Sequence, residues 1–369
     1  MCLPHRRHSR QHQLRLQPGH GSVILGRFIA AAPVPAGPTW SKVVGMSNTR
    51  KIAVIGAGLA GISAASALVE AGVDVTLFER DSAVGGRLGD VGKPDLGAQY
   101  FTVRHPAFRQ ATREWQQRGW IAEWSPRLYH YDHAHGLRAS ADDIQRLVGI
   151  PDMATLAEHL LGSDPVCDSE IQQIQRTADE HWLLQTADGT QLGPFTGLVL
   201  ATAPATAALL LEAAPQVQQD VARVRMRPCW SLALRFANPL GTVLDACFVR
   251  DGPLDWLARN NSKPQRPADE LWVAQSTASW AEEHQHASPE LVASALQQAM
   301  AEVLGVPLPE ADQVQIRYWP QARPAEELKW GALAAPKLGL YVCGDWCLGG
   351  RIENAWLSGR QAAKAVLDK

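Results

Sequence analysis

The chain has 369 residues, 46% hydrophobic and 20% charged, with a formal net charge of -2 at neutral pH. That length suits two domains of about 150 residues with sizeable cores, and the balanced charge excludes a global field for nucleic acid or an anionic membrane. No apolar run reaches the roughly 20 residues of a membrane-spanning helix. The six cysteines are scattered without a C-x-x-C pair, which speaks against a disulfide framework and a zinc site. Cys343 and Cys347 read as small buried residues rather than as a bridge.

The first 45 residues differ from the remainder. They carry Arg6, Arg7, Arg10, Arg15, Arg27 and Lys42 and no Asp or Glu, and Pro and Gly interrupt every stretch that a helix would need. The apolar segment over 22–32 is in keeping with a signal peptide except that Arg27 interrupts it, and Arg6-Arg7 makes only a weak twin-arginine signal, having no clean hydrophobic segment after it. Met46 leads directly into the first predicted strand. It reads as the natural start, with residues 1–45 disordered or wrongly assigned.

Lys51–Ile55 has the β-branched, apolar character of a strand buried on both faces. It runs into Gly56-Ala57-Gly58-Leu59-Ala60-Gly61, then an alanine-rich helix over 62–71, a stop at Gly72 and a second strand over 73–78 ending in Glu79. In this order the glycines form a dinucleotide fingerprint. Gly56 permits the tight turn, Gly58 lets the backbone approach a pyrophosphate and Gly61 lets helix and strand pack closely. The helix N-terminus presents free N–H groups to the phosphates, and Glu79 can accept the ribose hydroxyls. This half alone leaves NAD and FAD both open.

Downstream, Glu79-Arg80-Asp81 leads to Gly85-Gly86-Arg87-Leu88 and then to Asp95-Leu96-Gly97-Ala98-Gln99-Tyr100-Phe101. This succession resembles the amine-oxidase-like flavoproteins. The resemblance implies that Arg87 and its neighbouring backbone hold FAD, and that the segment containing Gln99 and Tyr100 lies against the isoalloxazine. At the far end, a short strand over 339–343 is followed by Gly344-Asp345 and by Gly349-Gly350-Arg351-Ile352-Glu353-Asn354-Ala355, which opens a last helix. It resembles the second flavin motif of that superfamily, with Asp345 near the ribityl and pyrophosphate and the helix N-terminus facing the flavin, where reduced flavin carries negative charge. An NAD dehydrogenase needs no such returning segment, so FAD is the expected cofactor. The motif has no cysteine at the position that carries covalent flavin in monoamine oxidases, so the FAD is expected to be non-covalent. Ser169-Glu170-Ile171 resembles the strand whose backbone touches the adenine.

The fold class implied is α/β. A discontinuous Rossmann-like FAD-binding domain (46–105, 155–212 and 325–369) joins a mixed-sheet substrate domain (106–154 and 213–324), with an architecture like that of amine oxidase and p-hydroxybenzoate hydroxylase. Segments 231–236 and those around Cys247 and Trp272 read as substrate-domain strands, and 289–304 as a helix.

Several blocks together resemble the bacterial renalases: residues 95–101, 253–260 with Ser262-Lys263-Pro264, 341–347 and 351–359. The resemblance implies oxidation of 2- or 6-dihydro isomers of NAD(P), with the electrons passing through FAD to O2 to give hydrogen peroxide, in the cytoplasm. Hydride loss from a dihydropyridine leaves an aromatic pyridinium and no proton to remove, so positioning matters more than a base. No residue is expected to be a catalytic base, and none a metal ligand. The substrate-side candidates are Gln99, Tyr100, Asn260, Lys263, Trp319 and Arg351. Arg351 occupies the position where monoamine oxidases carry a cage tyrosine; it either faces substrate or pairs with Glu353 or Asp345. Trp319 stacks on the nicotinamide or serves the core. Gln275 stands where renalases often carry histidine. An amine oxidase and a non-catalytic flavin-binding protein are the alternatives.

Overall fold

The computed structural model describes residues 50–140, 142–161 and 165–369; Met46 and the segment 1–45 lie outside the described residues. Four strands, Lys51–Ile55, Asp74–Phe78, Gly197–Leu200 and Leu340–Val342, pair in parallel, and Leu333–Ala335 adds an antiparallel edge beside Leu340–Val342. Lys51–Ile55 sits inside the sheet, and its last four residues are buried. Its alternate side chains explain this. Ile52 and Val54 pack with the helices Leu59–Glu70 and Ile352–Leu367 on one face. Ala53 and Ile55 pack with Trp182, Leu184 and Phe195 on the other, where Ile171–Arg176, Trp182–Thr186 and Gln191–Phe195 form a three-stranded antiparallel sheet.

The fingerprint helix begins at Leu59, three residues before the expected start. The Ile62 N–H donates to Gly58 O, so Ala60 and Gly61 already belong to its first turn. It packs on the C-terminal helix without a spacer: a Cβ on Gly359 would lie 2.2 Å from Ala60 O. Close by, Ser63 Oγ donates to Trp356 O at 2.8 Å.

A second sheet of seven strands runs in the order Gln313–Pro324, Met226–Phe236, Glu270–Ser276, Leu254–Arg259, Ala246–Val249, Leu128–Asp132 and Gly136–Ala139. It is mixed, because Ala246–Val249 and Leu128–Asp132 pair in parallel while the other pairs are antiparallel. Helix Pro289–Leu304 covers one face through Val292, Leu296 and Met300. Ser288 caps its first turn and Gly305 ends it in the left-handed region, the usual signals for a helix of this length. On the opposite face, Ala233 and Val273 lie against Leu96, so the loop over 95–99 joins the two sheets. Cys343 and Cys347 are fully buried and unbridged.

Candidate functional site

A cavity of about 630 Å³ opens at the carboxyl ends of the parallel strands and continues under the seven-stranded sheet. Of the residues expected to hold the cofactor, Gly56, Gly58, Leu59, Ala60, Glu79, Arg80, Gly86, Arg87, Leu88, Ile171, Gly344, Asp345 and Ala355 line it. Gly61 lies beneath, packed on Gly56.

The dinucleotide end is built as a phosphate cradle. Gly56 turns the chain at φ +102°, and a Cβ on Gly58 would meet nothing within 4 Å, so the space in front of it is open. Gly58 caps the helix with no side-chain hydrogen bond. The cap of the C-terminal helix, Arg351, likewise offers none, whereas His105, Thr277 and Ser288 cap their helices with side chains. First-turn N–H groups left uncapped on a cavity wall suit an anionic ligand. Glu79 is buried, and its carboxylate accepts from Ala57 N at 2.7 Å and Asp81 N at 3.1 Å. With about four acceptor sites on a carboxylate, two remain for ribose hydroxyls. Glu79→Ala should therefore weaken FAD binding by about 1.5–3 kcal/mol, read by titrating apoprotein with FAD.

Arg87 joins the two flavin motifs. Its Nη1 donates to Ala322 O at 3.0 Å and Asp345 Oδ2 at 3.1 Å, and its Nη2 donates to Asp345 Oδ1. Behind the opposite wall, the segment holding Gly97 and Ala98 is clamped. Trp319 Nε1 donates to Leu96 O at 2.9 Å, and Gln275 Nε2 donates to Gly97 O at 2.8 Å. Both donors also line the cavity. Gln275 thus works as a donor to the loop. Arg317 lies over the Trp319 ring at 3.9 Å.

Asn260, Lys263, Gln99 and Tyr100 are not among the lining residues. Lys263 Nζ, fully buried, donates to Asp95 Oδ2 at 2.9 Å and to Gln99 Oε1 at 3.2 Å. Arg266 Nη2 reaches the same carboxylate oxygen at 2.8 Å, and Met153 N donates to the other at 3.0 Å. Burial alone would raise the Asp95 pKa, but the charges of Lys263 and Arg266 outweigh it and hold the carboxyl below its ordinary value. Tyr100 packs on Trp124 and Trp256 with the Arg146 guanidinium over its ring, and Asn260 is buried. Lys263, Gln99 and Arg266 thus brace the loop from behind the wall.

At the C-terminal helix, Glu353 turns from the cavity and accepts from Arg104 N at 2.8 Å and His105 N at 2.6 Å. Asn354 Nδ2 donates to Leu348 O. Asp345 is taken by Arg87, so Arg351 pairs with neither expected partner. Its exposed side chain lines the cavity. Arg317, Arg323 and Asp255 line the cavity too and were missed; only Asp255 lay within a block singled out from the sequence, and its orientation depends on a strand irregularity. No group of three or more metal-ligating side chains occurs among the described residues. Burial raises the pKa of the lining thiol, Cys229, which disfavours the nucleophilic thiolate.

A Rossmann-like dinucleotide site completed by a returning C-terminal segment defines an FAD-dependent oxidoreductase, and FAD is its cofactor. The chain belongs to the flavin containing amine oxidoreductase family, whose match covers residues 134–367. An NAD(P)-binding Rossmann-like domain matches residues 54–115. Carotenoid phi-ring synthase of Streptomyces griseus is 35% identical over 145 residues, 36% of this chain and 27% of that protein. L-amino-acid oxidase of Crotalus adamanteus is 39% identical over 69 residues, 19% of this chain and 13% of its own length. The chain thus matches about a quarter or less of the length of these relatives. Among solved structures, a putative protoporphyrinogen oxidase from Exiguobacterium aligns with a TM-score of 0.71 at 14% identity, over 88% of this chain and 100% of that one. Cyclohexylamine oxidase from Brevibacterium oxydans aligns at 0.69 and 13%, over 87% and 99%. At these identities the likeness is one of fold.

Proposed function

We propose that the protein oxidises 2- or 6-dihydro isomers of NAD(P) to NAD(P)+, with O2 as the final acceptor. The observation that carries this reading is the Arg351 guanidinium, which lines the cavity without an ion-pair partner among the described residues. A fixed cation there repels a protonated amine and attracts a substrate bearing phosphates. Bound FAD supplies the hydride acceptor and the route for electrons to oxygen. The chain's own residues then have to orient the donor. Trp319, held by Leu96 O, offers its ring to a nicotinamide, and Arg351 offers its charge to the phosphates. No proton leaves the carbon skeleton, so this reading asks no residue of the cavity to act as a base. In this reading segments 46–105, 155–212 and 325–369 serve FAD, and 106–154 and 213–324 serve the substrate. A dinucleotide substrate puts the protein in the cytoplasm, and no helix of the described residues is long and apolar enough to cross a membrane.

The test is anaerobic mixing of the FAD-loaded protein with each dihydronicotinamide isomer, ordinary NAD(P)H and a panel of amines. Rapid flavin bleaching by a 2- or 6-dihydro isomer is expected, and turnover of amines instead would overturn the proposal in favour of an amine oxidase. Arg351→Tyr should lower kcat/KM for the dihydronicotinamide by about tenfold or more, the effect of losing a charge-assisted contact of about 1.5–3 kcal/mol. FAD content should stay the same, because Arg351 contributes no side-chain bond to the helix cap.

A further inference from the structure

Two strands of the seven-stranded sheet depart from regular pairing, and both departures fall on the cavity. Between the pairs Cys229↔Trp319 and Arg227↔Arg323, Gln313–Pro324 has three residues where Met226–Phe236 has one. Between Leu254↔Ser276 and Trp256↔Gln275, Asp255 has no counterpart on the neighbouring strand. Bulges re-aim side chains out of the strand's alternation and concentrate beside functional sites. Here, successive residues from Trp319 to Arg323 line the cavity, as does Asp255.

The two irregularities aim at each other. Met226–Phe236 and Glu270–Ser276 lie between the strands that carry Arg323 and Asp255, a separation of about 14 Å at ordinary strand spacing. Yet Arg323 Nη1 stands 3.1 Å from Asp255 Oδ2. The ion pair reaches across the sheet face, where the intervening strands present Cys229 and Ser276 to the same cavity. Its side chains remain 54% and 46% exposed, and so open a pair is held weakly. A guanidinium of this kind can exchange one carboxylate for a phosphate, whose oxygens match its fork.

We propose that Arg323 is a specificity residue that binds a phosphate of the substrate's pyrophosphate, and that Asp255 is the intramolecular anion it releases on binding. This rests on the dihydronicotinamide reading. Arg323 lies four residues along the strand from Trp319, at most about 13 Å, so a nicotinamide on that ring leaves its phosphates within the guanidinium's reach. Asp255 competes with weakly bound free anions and recaptures Arg323 when product leaves.

The test uses FAD-loaded wild-type protein, Arg323→Gln and Asp255→Asn, each checked for equal FAD content. Calorimetric titration with inorganic pyrophosphate should show at least about tenfold weaker binding in Arg323→Gln and several-fold tighter binding in Asp255→Asn. The ratio of kcat/KM for the dihydronicotinamide dinucleotide to that for its phosphate-free riboside should move in the same two directions. Equal pyrophosphate affinity in all three proteins would overturn the proposal. So would a parallel loss in both variants, the mark of a merely structural pair. If the pyrophosphate pattern holds but neither donor bleaches the wild-type flavin, the substrate reading falls and Arg323 stands as a phosphate reader. Bleaching without the pattern sinks only the role of Arg323.

Discussion

Asp95→Ala should destabilise the protein by about 3–5 kcal/mol, the usual effect of removing one member of a buried ionic cluster. The side chains of Asp95, Lys263 and Arg266 are at most 2% exposed, so the substitution strands two cations where water cannot reach them. The expected fall in Tm is on the order of 10 °C for a chain of this size, measured by thermal unfolding of the FAD-loaded protein. The loss should extend to cofactor retention, because Asp95 anchors the loop whose Gly97 and Ala98 line the cavity. A Tm within a degree or two of wild type would mean that the cluster contributes little. The same group sets a pH dependence. The folded pKa of Asp95 is depressed below 3.8, so its contribution is complete above the unfolded pKa and disappears as pH falls through the folded one. Asp245, with Arg127 and Arg259, acts in the same sense. Urea midpoints should hold from pH 7 to about pH 5 and fall below pH 4, with Asp95→Ala showing the shallower acid limb.

Gly61→Ala should abolish FAD binding and most soluble yield. An added Cβ would lie 1.9 Å from Gly56 O, with the Ala201 Cβ at 3.1 Å on another side. Both obstacles are close to the main chain, so the helix must move off its strand. That movement opens the turn that receives the pyrophosphate. The matching control is Gly72→Ala, where φ is +81° but no atom lies within 4 Å of the new Cβ. That change costs only left-handed strain, about 1 kcal/mol, and should leave a yellow protein. Soluble protein with normal FAD content in Gly61→Ala would refute the close-packing role assigned to this glycine.

The contrast between these positions shows what the sequence makes legible. Gly56, Gly58, Gly61 and Glu79 carry local rules: a turn, an approach, a contact and an acceptor at the end of a strand. They could be placed before any coordinates. The pairing of Arg87 with Asp345 was not legible: each motif reads by itself as cofactor-binding, and the bond that joins them is tertiary. Lys263 and Gln99 read as pocket residues because they sit in motif-bearing segments. Their burial against Asp95 depends on the loop closing over the second sheet, a tertiary event without a local signature. Asp255 and Arg323 were the hardest to anticipate. Their direction follows from strand register, and a single extra residue reverses which face a side chain takes. Arg351 offered two readings from the sequence, and the one that pairs it with Glu353 or Asp345 is excluded by tertiary bonds, Glu353 to the 104–105 backbone and Asp345 to Arg87.

The cofactor cradle draws its first turn from residues 56–61 and its closing helix from beyond residue 350, with Gly359 pressed against Ala60. On a ribosome, the fingerprint emerges some three hundred residues before the helix that must lie against it. Until that helix is released, the nucleotide half has an uncovered apolar flank and a cavity wall that lacks Arg351 and Ala355. Cofactor capture therefore waits for the residues beyond 340, and a chain stopped before them is expected to be colourless.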